Sequence, residues 1–283
     1  MNRGKRIEVG SPRTGFSLLE LLVAVAVIGI LVAVTVVGVR KVRYAGHKAE
    51  SSSNIRQLVV ANQMYASDHG RFAPSTDIYD NIRWHGKRVN GTFVGEGGYL
   101  SEYLDGGEVR FCPVLEEYVE SEEGVAFDEG TGGYGYNSTY VGGDPTQLDA
   151  VVDWNASRDD VTAWWAQGSR LFYVKEPARV VMFTSTALVK GGGLVETGDS
   201  VPYRAVSSGG RLRSVMTPTV HFRFEGQALV AWADGHVTFE DPNEASIEHN
   251  VYGDDNSMFS VGWFGPVEWN GYWNPHYDEE RAY

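Results

Sequence analysis

Residues 16–39 form an apolar run of 24 residues in which Glu20 is the single charge. As an α-helix this run is about 36 Å long, against a bilayer hydrocarbon core of about 30 Å. A stretch apolar on all sides finds no solvent-facing role in a globular domain. A membrane-spanning helix with lipid as its partner is therefore expected over 16–39. Residues 1–15 precede it as a short polar segment carrying Arg3, Lys5, Arg6 and Arg13. A secretory signal has an apolar region of about 7–15 residues followed by a small-residue cleavage site. Here the run is longer, and the small residue, Gly15, lies before it, so the span is not a signal removed whole.

Glu20 needs a reason to be where it is. A carboxylate at the centre of a membrane helix is costly, but Glu20 lies in the opening turns, where the helix dipole favours an anion. It either caps the helix or pairs with a cation. The stretch Gly15-Phe16-Ser17-Leu18-Leu19-Glu20, leading into an unbroken apolar helix, resembles the processing site of type IV prepilins and type II secretion pseudopilins. The resemblance implies cleavage between Gly15 and Phe16 by a prepilin peptidase on the cytoplasmic side, and N-methylation of Phe16. The new ammonium on Phe16 would then be a partner for Glu20 in assembly, on the same helix or a neighbouring one. Other pilin-like subunits and an inner-membrane assembly platform are the further partners it implies. It also implies a single-pass inner-membrane protein with its N-terminus cytoplasmic and its head periplasmic. Arg40, Lys41, Arg43 and Lys48 follow the span, so flanking charge alone does not set this orientation.

The helix is expected to continue. Residues 40–70 contain no proline and place Val42, Ala45, Ala49, Ile55, Leu58/Val59, Ala61/Asn62 and Tyr65 at near-helical spacing. Ser51-Ser52-Ser53-Asn54 marks a possible kink, and Gly70 a stop. Residues 71–283 read as a globular head of short strands and turns, giving an α+β fold with the long helix packed on an antiparallel sheet. Asn90-Gly91 within 88–94 predicts a hairpin, as does Asp234-Gly235 within 228–240. Further strands are predicted over 108–115, 170–174 and 178–189, and long loops over 141–168 and 190–219.

His221, Asp234, Gly235 and His236 resemble the C-terminal His…Asp-Gly signature of a large group of pilin-like proteins, although the twelve-residue gap exceeds the nine of that signature. Asp234 and His236 form a metal or acid–base pair with His221 if the three converge; otherwise they belong to an ordinary hairpin turn. Asp254, Asp255 and Asn256 offer oxygen ligands of the kind Ca²⁺ prefers, or a solvated turn. No other cofactor is implied. Trp154, Trp164, Trp165 and the tail Trp263, Phe264, Trp269, Tyr272 and Trp273 suit either core and interface packing or the stacking of a sugar.

The first fifty residues hold eight Lys and Arg against three acids, whereas the whole chain carries −13. The remainder is thus strongly acidic, which disfavours nucleic-acid partners. One cysteine, Cys112, rules out an intramolecular disulfide and reads as a buried core residue. No nucleophile elbow, zinc-protease helix, phosphate-binding loop or paired-Cys metal site is present. The expectation is a structural, non-enzymatic subunit of a secretion pseudopilus or pilus-like filament. The alternative is a membrane-tethered module whose head binds a glycan or an exported protein.

Overall fold

A computed structural model of the chain describes residues 15, 17–115, 118, 128–146, 164–207, 210–245 and 249–277. The chain divides into two compact units, Met1–Gly46 and His47–Tyr283. A single helix, α1 (Leu18–His69), supplies residues to both.

In the first unit the large apolar side chains of α1 are exposed, Leu18 at 85% and Val34 at 69%. Among the described residues α1 is the one helix long and apolar enough to cross a membrane, with a mean hydropathy of 3.0 in its most apolar window. Its polar Thr35 hydroxyl bonds back to the Leu31 carbonyl at 2.7 Å, which satisfies the group within the helix.

In the second unit α1 presents Ser51, Asn54, Ile55, Leu58, Val59, Ala61, Asn62 and Ala66 as a buried stripe. The spacing of three and four is the period that keeps one face turned inward. Val42, Ala45 and Ala49, expected on the same stripe, are exposed. The serine run does not kink the helix. Ser51 and Ser52 donate to the carbonyls of His47 and Lys48 at 2.8 and 2.9 Å, so their hydroxyls are satisfied without opening the backbone ladder. Gly70 ends the helix with φ +70°, a left-handed conformation that glycine adopts without a Cβ clash. The buried Asn62 Oδ1 then accepts the Ala73 N–H at 2.8 Å, fixing the exit path.

The strands are short. The central sheet is antiparallel, in the order β11-β10-β4-β3, from β3 (Tyr134–Tyr136), β4 (Val181–Ser185), β10 (Ala228–Trp232) and β11 (Val237–Glu240). Four two-stranded pieces surround it. They pair β1 (Lys87–Val89) with β2 (Thr92–Val94), β5 (Leu188–Lys190) with β6 (Gly193–Val195), β7 (Arg204–Val206) with β8 (Leu212–Val215), and β9 (Val220–His221) with β12 (Val261–Gly262).

Alternation along β10 divides the core in two. Ala228, Val230 and Trp232 join Val181, Val220, Phe222, Trp263, Phe264 and Trp273 in one aromatic-rich cluster. On the other face Tyr134 and Tyr136 donate to the carbonyls of Ser51 and Ala73, tying the sheet to α1. A register shift at Ala231/Trp232 skips Met182 of β4. This bulge lets Phe183 stack on Tyr136, at a ring separation of 4.9 Å, while Val181 faces the aromatic cluster. Trp263, Phe264 and Trp273 of the tail are core, whereas Trp269 is exposed: the Trp273 indole donates to Ser200, and Asn137 donates to the Trp273 carbonyl.

Both predicted hairpins form. Asn90-Gly91 makes a two-residue loop with φ of 52° and 92°, the type I′ turn. The second loop has three residues rather than two: Ala231 pairs with Val237, Gly235 N–H bonds the Trp232 carbonyl, and Gly235 takes φ +95°. Asp234 keeps an ordinary backbone, and the left-handed position belongs to Gly235.

Four other expectations are corrected. Residues 108–115 are irregular, because Pro113 and the Leu115 N–H to Cys112 carbonyl bond turn the chain away from a ladder. Residues 170–174 form a 3-10 turn, Leu171–Tyr173. Residues 178–189 split into β4 and β5, since past Ser185 the chain turns to β9: Thr186 bridges Val220 and the Ala187 N–H bonds the Thr219 carbonyl. Within 190–219, expected as a loop, lie β6, β7 and β8, and residues 147–163 are outside the described residues.

Candidate functional site

The start of α1 is built by two side chains. Ser17 precedes the first helical residue, and its hydroxyl accepts the Glu20 N–H at 3.2 Å. Glu20 Oε2 in return accepts the Ser17 N–H at 2.8 Å. This reciprocal Ser-x-x-Glu arrangement satisfies two of the backbone donors that every helix start leaves unpaired. The carboxylate that interrupts the apolar run therefore has a local partner before any second chain is considered. Gly15, at the predicted cleavage position, is exposed, and a Cβ built on it meets nothing within 4 Å. Phe16 lies outside the described residues.

Residues 11–36 match the family model of the prokaryotic N-terminal methylation motif. The N-terminal segment is of prepilin type. No curated protein and no solved structure matches the chain. The prepilin-type motif thus begins ahead of Gly15, contains the Ser17–Glu20 cap, and ends within the exposed apolar half of α1. It marks a prepilin-like processed subunit.

His221 is not brought to Asp234 and His236. It is buried in β9, where its Nδ1 lies 3.1 Å from the Arg223 guanidinium and its backbone carbonyl accepts from Ser185. Burial and the adjacent Arg223 push its pKa well below the ordinary histidine value, so the ring is neutral. Ser185 also accepts from Leu229 N–H, which places His221 at the Leu229 end of β10. Asp234 lies beyond the other end of β10, which runs three residues on to Trp232, about 10 Å at strand rise. There Asp234 Oδ1 accepts the backbone N–H of His236 at 3.0 Å and meets its ring Nδ1 at 2.5 Å. The His236 ring stacks on Trp232 with an interplanar angle of 6°. Burial pushes the Asp234 carboxyl up, but the bonds from His236 outweigh it and hold the group below its usual value. A two-residue contact in a surface turn is what the Asp-Gly-His stretch provides.

Asp254, Asp255 and Asn256 are close in sequence but serve different partners. Asp254 accepts the N–H groups of Gly191 and Gly192 at 2.9 and 3.0 Å. Asp255 caps a short 3-10 turn, Asn256–Phe259, through Ser257. Asn256 is buried and bonds Asn250 and the His249 carbonyl. Among the described residues no group of three or more His, Cys, Asp or Glu is placed to hold a metal ion. Cys112 is buried, as expected, with its Sγ 3.3 Å from the Ser51 hydroxyl.

One polar cluster carries no signal in the sequence. Arg83 spans Asp80, with Nε to Oδ1 at 2.7 Å, and Asp128, whose other oxygen accepts Gly198 N–H at 3.0 Å. Burial, together with the Asp199 and Asp80 charges, pushes Asp128 up to about 6 against the pull of Arg83. His85 is buried beside this cluster, and neither ring nitrogen has a hydrogen-bond partner. Burial and the Arg83 charge push its pKa down to about 3. These residues come from segments up to about a hundred positions apart, so no local spacing announces them. The Ser-x-x-Glu spacing at Ser17, by contrast, was readable as a capping box.

Proposed function

We propose that this chain is a structural pilin-like subunit, made as a precursor and assembled into a type II secretion pseudopilus or a type IV pilus-like filament. A prepilin peptidase cuts between Gly15 and Phe16 on the cytoplasmic side, and Phe16 is then N-methylated. The apolar half of α1 holds the subunit in the inner membrane with its head outside the cytoplasm, until an assembly platform draws it into a bundle of like helices. The observation that carries this reading is the methylation motif over residues 11–36 opening directly into an exposed apolar helix. In this role the chain is the substrate of two enzymatic steps and performs none.

Glu20 has two tasks in such an assembly. Its Oε2 completes the helix cap with Ser17, and the remaining oxygen is available to the Phe16 ammonium, on its own or a neighbouring subunit. Glu20→Ala tests this division. The variant is expected to insert and be processed, because the apolar run is intact, yet to be missing from sheared filaments and from cross-linked multimers. Incorporation at the wild-type level would contradict the assembly role and favour the tethered binding module.

A further inference from the structure

We propose that a cleft in the head, lined by Asp80, Arg83, Ser138, Trp164, Trp165 and Asp199, binds a pyranose unit of a glycan. Its volume is about 230 Å³, the scale of a single sugar ring. The polar side is rigid. Arg83 is fixed on Asp80 through two contacts, at 2.7 and 3.1 Å, and on the buried Asp128. Asp80 also accepts from Arg88 at 2.8 Å and from Thr76 at 3.0 Å, and it sits at φ +54°. A non-glycine residue held in the left-handed region by four side-chain contacts costs strain that the surrounding bonds must sustain.

That frame leaves specific groups unused. Among the described residues nothing hydrogen-bonds to the Asp199 carboxylate, the Ser138 hydroxyl or the indole N–H groups of Trp164 and Trp165, all of which are half-buried. The two indoles meet edge to face, 5.5 Å apart at 82°. The cleft therefore joins an aromatic wall to carboxylate acceptors, of which Asp80 is held in place, and to neutral hydroxyl and indole donors. A pyranose has the matching duality, an apolar C–H face for an indole and a rim of hydroxyls that both donate and accept. Anionic ligands are disfavoured by Asp80 and Asp199. A quaternary ammonium is disfavoured by the Arg83 charge on the floor, and by indoles that turn edge to face instead of offering two open faces.

The test uses the full chain in nanodiscs of phosphatidylglycerol, which bring no sugar detergent and no choline. Saturation-transfer NMR is run with glucose, galactose, mannose and N-acetylglucosamine in turn. At least one is expected to show transfer from the aromatic protons. Asp199→Asn keeps the side chain's size and removes its charge, so it is expected to weaken that binding about ten-fold, the cost of one charge-assisted hydrogen bond. Its unfolding midpoint is expected to stay at the wild-type value. Ser138→Ala serves as a second variant should Asp199→Asn fold poorly, with weakened binding again expected. Absence of transfer from all four sugars, unchanged affinity in the variants, or binding of tetramethylammonium in their place would each overturn the proposal. None of these outcomes bears on cleavage at Gly15 or on assembly through Glu20.

Discussion

Glu20 accepts the Ser17 N–H, and the proposed cleavage between Gly15 and Phe16 would leave that bond untouched, because Ser17 would keep its amide. The helix cap would therefore be common to the precursor and the proposed processed chain, with only the partner of the second carboxylate oxygen differing. His85 shows a different kind of residue-scale constraint. Its pKa lies near 3 in the folded chain, against about 6.5 when unfolded. Below about pH 6.5 the unfolded chain binds a proton that the folded chain refuses, so stability falls as pH falls. Between about pH 6.5 and pH 5 this amounts to about 2 kcal/mol. Urea midpoints of wild type and His85→Leu across that interval measure it: the wild type should lose stability relative to the variant. A wild type that gains stability relative to His85→Leu on acidification would contradict the buried neutral ring. Glu20 was legible because its signal is a charge within an apolar run. His85, Asp128 and Asp199 were not, because their character comes from burial between segments distant in the chain.

At the scale of elements, α1 was the most readable part of the fold, since a helix declares itself through a period repeated many times. The buried stripe follows that period from Ile55 to Ala66, and Leu58 is 1% exposed. Leu58→Ala should destabilise the head by about 2–5 kcal/mol through lost burial and the cavity left behind, read as a lower denaturant midpoint. A change below about 0.5 kcal/mol would mean that the stripe is not packed. The strands were read less well. The hairpins at Asn90-Gly91 and Asp234-Gly235 were located because turn chemistry is local. Residues 108–115 and 170–174 have strand-like composition but no ladder to join, and composition alone does not supply one. Conversely β6, β7 and β8 lie in a glycine- and serine-rich stretch where short pairs leave little periodicity to detect.

Over the whole molecule, charge and hydropathy divide the chain in the same sense as its two compact units. The first unit carries the prepilin-type motif, the membrane-length apolar helix and a surplus of basic residues. The second carries the acidic head, with one sheet between α1 and an aromatic core, and a surface of short loops. This split matches the proposed life of the subunit, in which the N-terminal segment is processed, anchored and bundled while the head folds independently and faces outward. His221 and the Asp234–His236 turn lie at opposite ends of β10 and form no convergent acid–base site together. The proposed function rests on the N-terminal motif, and cleavage at Gly15 is the event it depends on. Mass spectrometry of the N-terminal peptide from membrane-extracted protein tests it most directly. The mature chain is expected to begin at Phe16 and to carry one added methyl group; a chain that keeps residues 1–15, or is cut at any other bond, would contradict the prepilin-type reading.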